Sequence, residues 1–83
     1  MKIVYFSWVR ERVGRPGEEV ELPEGVATVQ DLIGWLSARG EGYADAFANR
    51  GVVRAALDRR HVPPDSPLAG AREVAFFPPM TGG

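Results

Sequence analysis

The 83-residue sequence contains no cysteine. That absence excludes a disulfide scaffold, a thiolate metal site and a side-chain persulfide or thiol nucleophile. A dominant sign of charge is missing too: ten Lys and Arg oppose eleven Asp and Glu, for a formal net charge of -1. No field is available to hold a polyanion, so nucleic acid is not an expected partner. The longest early apolar run, Ile3 to Val9, falls far short of the about 20 residues that cross a bilayer. It passes directly into Arg10, Glu11 and Arg12 without the small-residue cleavage pattern of a signal peptide. A membrane is therefore not expected either, and the expected location is the cytoplasm. Gly14-Arg15-Pro16-Gly17 lacks the spacing and the lysine of a phosphate-binding loop. The acidic residues are scattered, with no pair placed for general acid-base work.

What is present is ordinary for a soluble globular chain, with 45% apolar and 25% charged residues. One domain is expected, with a thin core, because a chain this short buries only about 60 to 65% of its unfolded surface.

Lys2 to Trp8 is rich in β-branched and aromatic residues and reads as a first strand, with Ile3 and Tyr5 on one face and Val4, Phe6 and Trp8 on the other. Both faces are apolar, so one meets the core and the other needs a cover. Gly14 to Gly17 is a turn by composition, and Glu18 to Leu22 alternates as a second strand, so the two form a hairpin with an irregular connection. Thr28 is a good N-cap with Asp31 three residues on, an approximate capping box. Val29, Leu32, Ile33 and Leu36 then fall at helical spacing, widened by Trp35 and stopped at Gly40. A short second helix is expected over Tyr43 to Asn49, a third strand over Val52 to Asp58, a loop over Pro63 to Pro67 and a fourth strand over Glu73 to Phe77. This order indicates an α+β roll with the helix on one sheet face.

The distinctive feature is the end, Pro78-Pro79-Met80-Thr81-Gly82-Gly83. Composition alone gives a terminal Gly-Gly about once in 70 chains, so the context matters more than the pair. Two prolines stop the last strand and stiffen the exit in extended geometry. Residues 80–83 are thus expected to form a tail outside a domain of residues 1–79. Two glycines without Cβ let a narrow channel close around the backbone and bring the Gly83 carboxyl to a reagent. Activated as a mixed anhydride with AMP, that carboxyl becomes an electrophile that sulfide or a persulfide can attack, giving a thiocarboxylate. Such a carrier needs no cysteine. The bland alternative is a glycine tail with no role.

The opening KIVYFSWVRERVG, the helix start TVQDL and the ending EVAFFPPMTGG resemble the molybdopterin synthase small-subunit family over essentially the whole chain. The resemblance implies a β-grasp, ubiquitin-like fold, with a mixed sheet of four to five strands and one main helix on one face. It also implies a sulfur carrier. An adenylating enzyme similar to ubiquitin-activating enzymes uses ATP on Gly83, so the carrier itself binds no cofactor, and a sulfurtransferase supplies the sulfur. The tail, with Gly82 keeping it slim, enters the large synthase subunit in a heterotetramer. The catalytic side chains then belong to that large subunit, and the sulfur passes to a cyclic pyranopterin precursor.

Phe6 and Phe77 look like the interface aromatics of that family, and Pro79, Met80 and Thr81 would accompany the tail into the partner. By parity Phe6 lies opposite Ile3 and Tyr5, and Phe77 lies opposite Val74 and Phe76, so if the latter four face the helix the two phenylalanines face a partner. Burial in the core is the competing fate. His61, after Arg59 and Arg60, stands where the family tends to carry an apolar interface residue and reads as a solvated or rim residue. No Cys, His or carboxylate sits at ligand spacing from it, so no metal is expected. Arg10 and Glu11 suggest a structural ion pair. Related carriers serving thiamine, cysteine or tRNA thiolation share the Gly-Gly end. A ubiquitin-like modifier and a plain interaction domain are the remaining alternatives.

Overall fold

The computed structural model describes residues 1–48 and 52–79. In chain order the elements are β1 (Lys2–Tyr5), α1 (Ser7–Val13), β2 (Gly17–Glu19), α2 (Val29–Ser37), α3 (Glu41–Ala46), β3 (Arg54–Leu57), β4 (Arg60–Val62) and β5 (Glu73–Phe77). The strands form one five-stranded sheet in the order β2-β1-β5-β3-β4. The central pair β1 and β5 is parallel and the other neighbours are antiparallel. A parallel pair needs a crossover, and here the crossover contains α2, which packs its apolar stripe on the sheet.

The start of α2 is the capping box anticipated at Thr28. The Thr28 hydroxyl accepts from the Asp31 amide at 3.1 Å, and the Asp31 carboxylate accepts from the Thr28 amide at 3.1 Å. Val29, Leu32, Ile33 and Leu36 are all buried. They meet Ile3 and Tyr5 of β1 and Val74 and Phe76 of β5, with Val9, Phe47 and Leu68 closing the cluster. Each of the larger side chains contributes roughly 2 kcal/mol by leaving water. Phe76 stacks on Tyr5 at 6.3 Å and meets Phe47 edge-on at 5.1 Å. This is the α+β, helix-on-sheet roll expected of a β-grasp.

Several boundaries differ from the sequence expectation, each for a physical reason. The first strand ends at Tyr5 rather than Trp8, because Ser7 adopts a left-handed backbone (φ 56°) that leaves the sheet and opens α1. The helix then buries Val9, and Gly14 (φ 93°) closes it by donating its amide to the Arg10 carbonyl at 2.8 Å. Strands β1 and β2 are antiparallel neighbours as expected, but a helix rather than an irregular turn joins them. Short apolar runs fit strand and helix alike. Trp8 accordingly belongs to α1 and packs partly against the core. The ion pair of α1 is Arg12 with Asp45 of α3 at 3.7 Å; Arg10 and Glu11 are exposed and form no ion pair among the described residues. The main helix stops at Ser37, before Gly40. The third strand is shorter than Val52 to Asp58, and a fifth strand follows it as β4. Asn49, Gly51 and residues 80–83 lie outside the described residues.

One polar cluster ties the layers together. Glu18 of β2 is directed to the helical side, where its carboxylate accepts from the Tyr5 hydroxyl at 2.9 Å, the Tyr43 hydroxyl at 2.6 Å and Arg39 at 2.9 Å, with Arg15 at 3.4 Å. Its side chain is 7% exposed. Burial by itself would raise the carboxyl, but the hydrogen bonds from Tyr43, Tyr5 and Arg39 outweigh it and hold Glu18 below the usual carboxylate range. The tyrosines move the other way: burial, then the bond to Glu18, raises both hydroxyls.

A carboxyl depressed by folding stabilises the protein fully above its unfolded pKa and loses that contribution as pH falls toward its folded pKa. Glu18→Gln should therefore cost about 2 kcal/mol at neutral pH, the scale for hydrogen bonds to a buried charge. It should also flatten the acid limb of the stability curve below the ordinary carboxylate range. Denaturant melts of both chains across pH check this; parallel curves would remove Glu18 from the account.

Candidate docking face and tail root

The alternation of β1 and β5 divides their side chains cleanly. Ile3, Tyr5, Val74 and Phe76 point into the core, whereas Val4, Ala75 and Phe77 lie on the sheet face away from α2. On that face the registers align Val4 with Ala75, Ala75 with Ala56, and Ala56 with His61 across four strands. The two alanines make a low floor. Phe6, Phe77, His61, Arg59 and Glu73 rise around it to form a hollow. The His61 ring leans on the Phe77 ring at 4.9 Å between centroids. Phe6 is 50% exposed, the exposed large apolar side chain among the described residues.

The rim is set by the β3-β4 turn. Asp58 (φ 47°) and Arg59 (φ 72°) both take positive φ, the geometry of a two-residue hairpin loop whose twist suits the flanking strands. Aspartate is among the residues that tolerate this region, and the Asp58 carboxylate makes long-range contacts, accepting from the Arg72 and Glu73 amides at 3.0 Å each. The turn is thereby fastened to β5, which places Arg59 and His61 beside the hollow.

A second cleft adjoins the first. Phe6, Ser7, Trp8, Val52, Phe77, Pro78 and Pro79 line it, so Phe6 and Phe77 belong to both depressions. Pro78 and Pro79 are partly buried where β5 ends. The Trp8 ring, on the far wall, carries the Arg12 guanidinium at 4.5 Å. Of the residues expected to meet a partner, the structure brings together Phe6, Phe77, His61 and Pro79. Met80, Thr81, Gly82 and Gly83 lie outside the described residues. His61, expected as a solvated or rim residue, is exposed. Ala56, Ala75 and Trp8 were not picked out as site residues; alanine at alternate strand positions opposite the core face is the signal that marks the floor. Among the described residues no group of His, Asp and Glu is placed to hold a metal ion, and no helix is long and apolar enough to cross a membrane.

Comparison with known proteins shows the family and the fold. The family model described as the ThiS family matches residues 3–83. The molybdopterin synthase sulfur carrier subunit of Escherichia coli K12 is 39% identical over 83 residues, covering all of this chain and 99% of that one. Its Haemophilus influenzae counterpart is 29% identical over the same span. Among solved structures, a candidate molybdopterin converting factor subunit 1 of Pyrococcus furiosus superposes with a TM-score of 0.74 at 33% identity, covering 95% of each chain. The small archaeal modifier protein 1 of Haloferax volcanii gives 0.71 at 22% identity, covering 96% of this chain and 97% of that one, a likeness of fold.

Phe6 and Phe76 are adjacent to the same strands but on opposite faces, and stability should tell them apart. Phe76→Ala is expected to cost about 3 to 5 kcal/mol as a core truncation, while Phe6→Ala should change stability by less than about 1 kcal/mol. Urea unfolding of the two variants measures it. Similar losses would place Phe6 in the core.

Proposed function

The chain belongs to the ThiS family, and from that premise we propose that it is the sulfur carrier subunit of molybdopterin synthase, working through the carboxyl of Gly83. What carries the proposal is its full-length kinship with carriers of that synthase. The open aromatic face at the root of the tail supports it.

The chemistry follows from the terminus. An adenylating enzyme transfers AMP from ATP to the Gly83 carboxylate and releases pyrophosphate; the nucleotide is bound there and not on this chain. The persulfide of a sulfurtransferase attacks the acyl carbon, the C–S bond forms and AMP departs with the C–O bond; a thiol then cleaves the S–S bond of the acyl disulfide, releasing the thiocarboxylate and leaving the sulfurtransferase sulfur in a disulfide. The thiocarboxylate so formed is a sulfur nucleophile held on an unbranched acyl group. Two glycines allow it to travel down a narrow channel in the large subunit, where the pyranopterin precursor receives the sulfur. The chain's own contribution is placement. Phe6, Phe77 and His61 dock the sheet face on the large subunit, and Pro78 and Pro79 stiffen the chain where β5 ends. Burial of paired aromatics at the centre of a contact is where binding energy concentrates, so the docking face fixes the position from which the tail must reach. Each half of the synthase would hold one such carrier, and the reaction would run in the cytoplasm.

Deleting Gly83 is expected to leave the melting temperature unchanged, since the core elements end at Phe77, and to abolish thiocarboxylate formation. Intact mass measurement of protein from cells with an active adenylating enzyme should find a species with one oxygen replaced by sulfur in the full chain and none in the deletion. Full-chain protein that remains entirely carboxylate, or that appears instead linked to target lysines, would contradict the proposal.

A further inference from the structure

The exposure of Phe6 has a local cause in the backbone. Phe6 is the last residue to join the sheet: its amide donates to the Phe76 carbonyl at 3.0 Å. Its carbonyl is already committed to the helix that follows, accepting from the Val9 amide at 3.2 Å and the Arg10 amide at 3.4 Å. Both backbone polar groups of one residue thus belong to different elements. The change of direction that makes this feasible is concentrated in Ser7, which takes φ 56° where an L-residue is ordinarily strained. The N-cap position of α1 is Phe6, without a side-chain cap hydrogen bond, so Ser7 stands as the first residue of the helix and not at its cap. With Ser7 extended, β1 would continue, Phe6 would lose its helix-side acceptor role, and α1 could not fold back to bury Val9. Strained backbone that persists is commonly found where function needs a fixed geometry.

The turn also joins the two depressions. Phe6 stands between the alanine-floored hollow and the cleft at the tail root, and Ser7 itself lines the latter. We infer that Ser7 is a positioning residue for docking, whose left-handed backbone holds the Phe6 ring at the junction of the sheet face and the tail root, where the large subunit must seat. This inference rests on the docking reading above and adds to it a residue that acts through the Phe6 ring. Substitution is graded by backbone preference. Glycine enters the left-handed region freely, whereas β-branched residues are the most strongly disfavoured there.

The test is a double-mutant cycle on the full chain, with affinity for a molybdopterin synthase large subunit measured by calorimetry. Phe6→Ala should weaken docking, and Ser7→Val should weaken it by roughly tenfold or more in folded protein, as an indirect loss of the same anchor. Ser7→Gly should restore docking relative to Ser7→Val. The decisive comparison is the double variant: Ser7→Val should add less than about twofold once Phe6 is alanine, because its effect passes through that ring. A merely structural serine would weaken docking by the same factor in both backgrounds, and that result overturns the inference while leaving the docking face intact. Ser7→Val within twofold of the unaltered chain overturns it equally. If Ser7→Val fails to fold, Ser7→Thr, also β-branched, takes its place with the same outcomes. Phe6→Ala that docks as well as the unaltered chain removes the docking face itself, and the inference with it.

Discussion

The parallel pairing of β1 with β5 is the constraint on which the rest of the structure depends. It sets Ile3 beside Val74 and Tyr5 beside Phe76 in register, so the inward side chains of two sequence-distant strands form one apolar sheet for α2 to cover. The same register necessarily turns Val4, Ala75 and Phe77 outward. A shift by one residue would exchange the two sets and leave the core face polar at Glu73. Core and open face are therefore two consequences of one pairing, and the strand that carries Phe77 runs directly into Pro78 and Pro79.

Burial of the helix side is supplemented by a polar fastening. Glu18 sits at the sheet edge where the core thins, and its carboxylate gathers hydroxyls and guanidinium groups from β1, from α3 and from the segment between α2 and α3. A small domain has few apolar contacts at its margins, so a satisfied buried charge there holds α3 against the sheet. Its bond network is complete: among the described residues no buried side-chain polar atom lacks a partner. The open face, by contrast, carries aromatic rings and small residues with few internal obligations. This division separates the face that folds the chain from the face that the proposed docking uses.

Much of this was legible in the sequence where the signal is local. Thr28 and Asp31 lie within one helical turn, and the parity of Ile3, Tyr5, Phe6, Val74, Phe76 and Phe77 is a property of single strands. Helix α1 was not legible, because the run through Val9 has strand propensity and nothing in a serine announces a left-handed backbone. Strand β4 escaped because it is three residues long, mostly exposed, and entered by an Asp58-Arg59 turn without glycine. The Glu18 cluster joins residues 13, 21 and 25 positions apart, a convergence that only the folded sheet creates. For the candidate site, Phe6, Phe77, His61 and Pro79 were recognisable, while the alanine floor and the Trp8 wall depend on the register and on α1.

On the proposed function, the chain is a scaffold that carries a reactive acyl terminus to a catalyst supplied by another protein. The most direct measurement is a single turnover with chain prepared as the thiocarboxylate, a molybdopterin synthase large subunit and the cyclic pyranopterin precursor, following dithiolene product and the chain's mass together. The account predicts that product appears as the chain returns to the carboxylate, with one sulfur lost per chain. No product, under conditions where the Escherichia coli carrier delivers its sulfur to the same large subunit, would contradict it.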